Sequence, residues 1–227
     1  MRLSLSKLSL LASVGVGAVA LLSAQAGAGD HPLYISMFGG ASMLNDVNTI
    51  KQEGGGQQYT VGFNTGYILG GAIGMQVSDE LRTEIELSHA AWGANRVRYM
   101  TSDGGVDRDA ASGTLNATYL LANLWIDVPN NGAFKPYVGG GLGVGFANAN
   151  VPFSGDENDG MTGGGTGFAF QVGGGIRKAL SEKIDLDVGY RFKGITGINF
   201  GSLAGEQHFN GANIYSHNLQ LGLTFHF

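Results

Sequence analysis

The feature that most constrains this chain is a two-residue alternation of apolar and polar side chains. Between residues 184 and 193 every second side chain is apolar, and the positions between them carry aspartate, glycine, arginine or lysine. A helix cannot separate two such sets, because alternate residues on a helix are spread around its axis. The pattern is typical of a β-strand whose two faces meet unlike surroundings.

Similar segments recur along the chain, although the facing of the first one is ambiguous. The predicted strands occupy residues 33–41, 66–77, 81–92, 116–128, 136–146, 167–178, 184–193 and 218–227. Short connections at 78–80, 129–134 and 180–183 alternate with long polar ones at 42–59, 93–113, 148–166 and 195–213. Short turns at one end and long loops at the other are typical of an up-and-down membrane barrel.

Composition supports a chain that does not face water everywhere. Charged residues make up 14% of the sequence, against roughly a quarter in ordinary soluble domains. A membrane-spanning helix needs about 20 apolar residues, and no segment beyond the amino terminus approaches that length. Strands can cross a membrane only as a closed barrel, because every backbone group must be paired there. The sequence therefore predicts an all-β fold, an eight-stranded antiparallel up-and-down transmembrane β-barrel, over residues 27–227.

The amino terminus has the three parts of a secretory signal peptide. Arg2 and Lys7 precede an uncharged apolar stretch over residues 8–22, and Ala24 and Ala26 supply the small residues of a cleavage site. We expect a cleaved signal peptide over residues 1–26, with Ala28 as an alternative end. The apolar stretch is short for a membrane anchor, which would be the other interpretation.

The polar face of the strands carries nearly balanced charge. In a barrel this face lines the interior, and eight strands leave a space that side chains can fill. Unpaired charge there would be very costly, so we expect the charged residues to pair into a network that plugs the barrel. The predicted network consists of Arg82, Glu84, Glu86, Asp127, Arg177, Asp185, Asp187, Arg191 and Lys193.

The chain resembles the OmpA-type and opacity-protein-like outer-membrane β-barrels. The resemblance rests on the eight-strand layout, on PYVGGGLGVGF at 136–146, on IDLDVGYRFKG at 184–194 and on the ending NLQLGLTFHF. It implies an integral protein of a Gram-negative outer membrane with its long loops outside. It also implies that Leu223, Phe225 and Phe227 act as the signal read by the outer-membrane assembly machinery, and that lipids and lipopolysaccharide surround the barrel.

The resemblance indicates location more firmly than activity. Its members include surface antigens, adhesins, envelope stabilisers and weak pores. We expect a structural or surface-interaction role through four external loops. A narrow porin-like channel for small solutes or ions is the alternative, and a lipid-modifying enzyme is a weaker one.

Enzymatic chemistry finds little support in the sequence. Ser88-His89 and Ser216-His217 are adjacent pairs, and neighbours on a strand point to opposite faces. The His-x-Ser spacing of lipid A deacylases is absent. We therefore expect no catalytic site and no enzyme.

Other ligand classes are also unsupported. The acidic run at 156–160 does not have the spacing of an EF-hand, so we expect no specific metal site and no cofactor. The formal net charge is −5, which argues against nucleic acid. The loop ligand is left open. Aromatic residues near the strand ends are predicted to form interfacial girdles, namely Trp92, Tyr99, Phe134, Tyr137, Tyr190, Phe192 and Phe225.

Overall fold

The structure is a computed structural model that describes residues 33–51, 57–100, 105–152, 160–202 and 208–227. All regular elements in these ranges are β-strands. They are β1 (Leu33–Leu44), β2 (Val47–Lys51), β3 (Gln57–Phe63), β4 (Gly66–Gln76), β5 (Leu81–Met100), β6 (Val106–Ala110), β7 (Thr114–Asp127), β8 (Lys135–Pro152), β9 (Gly160–Ala179), β10 (Ile184–Ser202) and β11 (His208–His226). The predicted signal peptide lies outside the described residues.

Eight of these strands close into one antiparallel ring. Around the ring, β1 is followed by β4, β5, β7, β8, β9, β10 and β11, and β11 pairs back onto β1. The closing ladder runs without a register shift from Tyr34 opposite His226 to Leu44 opposite Ser216. The predicted eight-stranded antiparallel barrel is confirmed. Among the described residues, no helix is long and apolar enough to cross a membrane.

The three remaining strands continue members of the ring beyond short interruptions. β2 prolongs β1 after residues 45–46, β3 leads into β4 across residues 64–65, and β6 leads into β7 across residues 111–113. β3 pairs with β5, and β2 pairs with both β3 and β11, so the wall continues above the first ring. A positive φ of 93° at Gly113, which a side chain would rarely adopt, marks the last interruption.

The long polar loops predicted between the strands are wrong for most of their length. Residues 93–100, 147–152, 160–166, 195–202 and 208–213 belong to strands, as do most described residues of the first predicted loop. The three connections predicted to be short are short in the structure. In the first of them the amide of Val77 donates to the carbonyl of Leu81 at 2.7 Å.

The two ends of the wall have opposite polarity. We call the part next to the short turns the membrane section. We call residues 45–51, 57–65, 92–100, 105–118, 147–152, 160–167, 195–202 and 208–214 the external section. Along β8, Val138 and Leu142 point outward and are more than half exposed, whereas Ala147, Ala149 and Val151 point inward and are buried. Outward apolar side chains thus give way to inward apolar side chains without any break in the strand. The membrane section meets lipid with its apolar face, and the external section encloses a core as a water-soluble barrel does.

Candidate functional site

The upper part of the polar interior is built around the Glu86 carboxylate. Lys193 donates to this carboxylate and also to the Ser88 hydroxyl, which lies 3.1 Å from its Nζ atom. The Glu86 carboxylate also accepts hydrogen bonds from Ser88 at 2.7 Å, from Gln171 at 2.7 Å and from Asn123 at 3.0 Å. The Lys193 side chain is fully buried, so its charge depends on this carboxylate.

A second group of charges lies nearer the short turns. Arg82 donates two parallel hydrogen bonds, of 2.9 and 3.0 Å, to the Asp127 carboxylate, which is the bidentate geometry that a guanidinium and a carboxylate favour. Arg177 reaches the same carboxylate at 2.8 Å and lies 3.4 Å from Asp185. The Nε2 atom of His226 lies 3.0 Å from Asp185. Side chains from five different strands are therefore joined into one series of contacts.

Two aromatic side chains complete the environment of Glu84. Tyr34 donates to its Oε1 atom at 2.9 Å, and the Trp125 indole donates to its Oε2 atom at 2.8 Å. The alternation of β7 predicts that Trp125 packs in the interior, and its side chain is buried there. Its hydrogen bond to Glu84 could not be predicted, because it depends on how the strands are staggered around the barrel. Tyr34 was missed because the facing of the first strand is ambiguous in the sequence.

Two members of the predicted network are placed differently. The Arg191 guanidinium stacks over the rings of Trp125 and Tyr137, at 4.2 and 5.1 Å from their centroids, and donates to the Tyr137 hydroxyl at 2.7 Å. Within the described chain, neither Arg191 nor Asp187 has an opposite charge within 4 Å. The seven other predicted residues take part in ion pairs, and the plugging role of the network stays a prediction.

The space left between these side chains is small. A cavity of about 40 Å³ lies among the charged groups of the membrane section. A single buried water needs about 10–15 Å³ measured in this way, so the cavity has room for only a few waters. Its lining mixes three arginines with three carboxylates, namely Arg82, Arg177, Arg191, Glu84, Glu86 and Asp187.

A second, apolar layer fills the barrel above the charged one. Its side chains come from all parts of the external wall and form one buried cluster. Trp92 and Phe200 are about 1% exposed, and the Trp92 indole donates to the Ser42 hydroxyl at 3.0 Å. Other members of the apolar layer are Val47, Val61, Val97, Leu115, Val151, Met161, Ile195, Ile198 and Ile214. The sequence interpretation missed this layer entirely.

The predicted aromatic girdle is only partly correct. Trp92 and Tyr137 point inward and are buried, so neither of them faces the membrane. Tyr190 and Phe192 do point outward, and Phe192 stacks on Tyr215 with ring centroids 6.0 Å apart. Phe170, Phe192 and Tyr215 thus form an outward aromatic group on β9, β10 and β11, while Tyr67 on β4 and Phe134 are exposed elsewhere.

The histidine pairs divide between the two faces, as the sequence predicts. Ser88 and Ser216 are buried in the interior, whereas the outward rings of His89 and His217 bond to Thr118 and Tyr190. Neither adjacent serine–histidine pair has the geometry of a nucleophile and its base. Among the described residues no cluster of three metal-ligating side chains occurs. Most of the acidic run at 156–160 lies outside the described residues.

The predicted assembly signal lies at the carboxyl end of β11. Leu223 and Phe225 are on the outward face of this strand, and Phe227, which follows it, is 76% exposed. The amide of Phe227 donates to the carbonyl of Leu33 at 3.0 Å, so the two ends of the described chain meet at the seam where the barrel closes.

Comparison with known proteins identifies the class. Residues 11–227 match the family described as the outer membrane protein beta-barrel domain, and the chain belongs to that family. It is therefore an integral protein of a Gram-negative outer membrane, as predicted. The crystal structure of OprG from Pseudomonas aeruginosa is similar, with a TM-score of 0.54, 17% identity, and coverage of 86% of this chain and 97% of that one. The crystal structure of the outer membrane protease OmpT from Escherichia coli is also similar. Its TM-score is 0.54 at 11% identity, and the match covers 87% of this chain and 97% of that one.

Relatives by sequence point to the cell surface. A candidate adhesin of Rickettsia bellii is 25% identical over 234 residues, which cover 97% of this chain and 99% of the relative. The outer membrane protein PagN of Salmonella typhimurium is 27% identical over 118 residues, or 48% of this chain and 49% of PagN. The protein is thus an outer-membrane barrel with adhesin-like relatives.

Proposed function

We propose that this protein is a surface-interaction barrel whose external section, with the loops it carries, contacts structures outside the cell. The observation that carries the proposal is the double filling of the interior. A charged layer and an apolar layer occupy the space that a pore would need, so the barrel acts as a rigid support for an external surface. The adhesin-like relatives support the same role.

The outward face of the external section suits contact with polar partners. On β8 it presents Asn148 and Asn150, and on β9 it presents Thr166, all of them exposed. Neutral amide and hydroxyl groups form hydrogen bonds without the desolvation cost of charge. The closed strands beneath them hold these groups in fixed positions, which reduces the ordering cost on binding.

Adhesion of a non-adherent Gram-negative host that expresses the chain tests the proposal. The informative variant is Asn148→Lys with Asn150→Lys, because it adds two charges to the external face. The matched control is Asn131→Lys with Ala133→Lys, which adds the same charge in an exposed turn at the opposite end. We expect adhesion to animal cells from the wild type and the control, and a loss of at least several-fold from the external variant. Equal adhesion of host cells with and without the chain would contradict the proposal.

The channel and enzyme alternatives have weaker support. A cavity of only about 40 Å³ among the charged groups, with an apolar layer beside it, fits a water-filled channel poorly. The likeness to OmpT is one of fold alone at 11% identity, and His89 and His217 point away from the neighbouring Ser88 and Ser216.

Export and assembly complete the proposal. We expect removal of residues 1–26, or of residues 1–28, and sequencing of the mature amino terminus distinguishes these ends. We also expect the assembly machinery to read the outward pattern of Leu223, Phe225 and Phe227. Deletion of Phe227 alone should lower the amount of folded barrel in the outer membrane, and unchanged folding yield would contradict that role.

A further inference from the structure

Three arginines lie together on the outward face of the external section. Arg96 and Arg98 occupy alternate positions on β5, and Arg108 on β6 lies directly opposite Arg98. The side chains of Arg96 and Arg98 are 48% and 37% exposed, and Arg108 is exposed as well. The positions between them face inward: Val97 is buried, and Tyr99 donates to Asp109 at 2.9 Å, which raises the pKa of Tyr99 to about 12.

This cluster is the charged part of an otherwise neutral wall. Outside it, most of the outward side chains that the structure describes in the external section are amides, hydroxyls or glycine, although Val106 on β6 is an exposed apolar residue and Asp107 beside Arg108 is an exposed carboxylate. Examples of the amides and hydroxyls are Asn48, Thr60, Thr114, Asn116, Asn148, Asn150, Thr162, Thr166, Thr196, Asn199 and Asn213. A local excess of positive charge on a chain whose formal net charge is −5 needs a specific explanation.

Asp46 and Gly62 hold two of the arginines in place. The Asp46 carboxylate accepts from Arg96 at 2.8 and 3.1 Å and from Arg98 at 2.8 Å. Arg96 reaches it by lying flat across Gly62, where an added Cβ would lie 2.6 Å from the guanidinium carbon. One carboxylate thus orders two guanidinium groups and leaves the cluster with two positive charges in excess.

The cluster retains unused hydrogen-bonding capacity. A guanidinium carries five N–H donors, and Asp46 engages only the Nη2 atoms of Arg96 and Arg98. The exposed Arg108 guanidinium adds further donors directly opposite Arg98 on the neighbouring strand. Like charges directly opposite on neighbouring strands destabilise the pair. An anion between Arg98 and Arg108 would remove this repulsion and use the free donors.

We propose that Arg96, Arg98 and Arg108 bind phosphate groups of lipopolysaccharide in the surrounding outer leaflet. The cluster faces sideways from the barrel wall, not upward from its tip. The outward apolar face of β5 ends at Ala91. Arg96 lies five positions further along the same strand, which places it roughly 10–15 Å beyond that end. A neighbouring phosphorylated glycolipid presents its anionic groups at this height, and guanidinium groups suit phosphate through paired hydrogen bonds.

Binding of lipopolysaccharide to the mature chain in detergent micelles tests the proposal, with fully phosphorylated and dephosphorylated lipopolysaccharide as the two probes. The informative variant is Arg98→Ala with Arg108→Ala. The matched control is Lys135→Ala with Lys183→Ala, which removes two exposed positive charges at the opposite end. We expect the arginine variant to lose about 25-fold in affinity for the phosphorylated probe, at about 5-fold per basic residue. The control and the dephosphorylated probe should show little change.

Asp46→Asn separates binding from a merely structural role. Removing the carboxylate frees donors on two arginines, so affinity for the phosphorylated probe should rise by several-fold. If the arginines serve only to brace β5 against the connection between β1 and β2, Asp46→Asn and the arginine variant should lower thermal stability together and leave affinity unchanged. That outcome would overturn the proposal, as would equal binding of the two probes by the wild type.

Discussion

The membrane section and the external section are built from the same barrel wall, but their apolar side chains point in opposite directions. In the membrane section Leu142 and Leu221 point outward while Lys193 and Glu86 are buried inside. In the external section Leu115 points inward and Asn148 points outward. The solvent around each section dictates the difference, because lipid accepts apolar side chains and water accepts polar ones. One strand can therefore serve two solvents if its polarity inverts at the interface while its pairing continues.

The largest expected effect comes from the charged layer. Glu86→Ala should lower the free energy of unfolding by about 4 kcal/mol, because it leaves the fully buried Lys193 without a counter-charge. Guanidinium unfolding of the barrel in lipid vesicles measures this. The double variant Glu86→Leu with Lys193→Met removes both charges at similar volume and should recover much of the loss. A double variant no more stable than Glu86→Ala would contradict the pairing.

The apolar layer should respond to loss of volume and not to loss of charge. Leu115→Ala should lower the free energy of unfolding by about 3 kcal/mol, because it opens a cavity in a packed core. The same unfolding measurement applies. Leu115→Met, which preserves volume, is the control and should cost less than about 1.5 kcal/mol. A small effect of Leu115→Ala would mean that the external section is not a packed core.

A substitution pair on β8 tests the inversion of the outward face. Leu142→Arg places a charge against lipid and should cost about 2–3 kcal/mol, whereas charge near or beyond the interface costs about 0–1 kcal/mol. Asn148→Arg lies on the same face of the same strand, six residues further out, and should fall in the second range. The difference in unfolding free energy between these two variants measures the change of solvent. Equal costs would place both positions in one environment.

The smallest expected effect concerns the exposed ion pairs of Asp46. Asp46→Ala should change the free energy of unfolding by less than about 1 kcal/mol, because exposed pairs are weak. This contrasts with Glu86, whose partner is fully buried. A loss comparable with that of Glu86→Ala would show that burial does not distinguish the two sections.

The membrane section was predictable from the sequence, and the external section was read wrongly for an identifiable reason. Lipid-facing strands show a strong contrast between alternating apolar and polar side chains, as in residues 184–193. In β8 the alternation continues through Ala147, Asn148, Ala149, Asn150 and Val151, but the apolar phase moves to the odd positions. A search for alternation that allowed the phase to invert would have found this strand. In β9, residues 162–167 are threonine and glycine only, so they offer little contrast for any such search.

The sequence predicts which charged residues point into the barrel better than it predicts which of them contact each other. The alternation identifies Glu86 and Lys193 as inward residues, but they are 107 positions apart and meet across the interior. Their meeting depends on the stagger of the closed ladder, which short-range patterns do not encode. For the same reason the stacking of Arg191 on Trp125, without an opposite charge within 4 Å in the described chain, was not foreseen.

Single-channel conductance of the refolded mature chain tests most directly the claim that two layers, one charged and one apolar, each close the interior. The wild type should be silent. Glu84→Ala and Arg191→Ala should also be silent, because the apolar layer remains above the altered charges. Openings should require a variant that weakens both layers, such as Glu84→Ala with Trp92→Ala and Phe200→Ala. Steady openings in the wild type would contradict the account and would move the protein to the class of narrow channels.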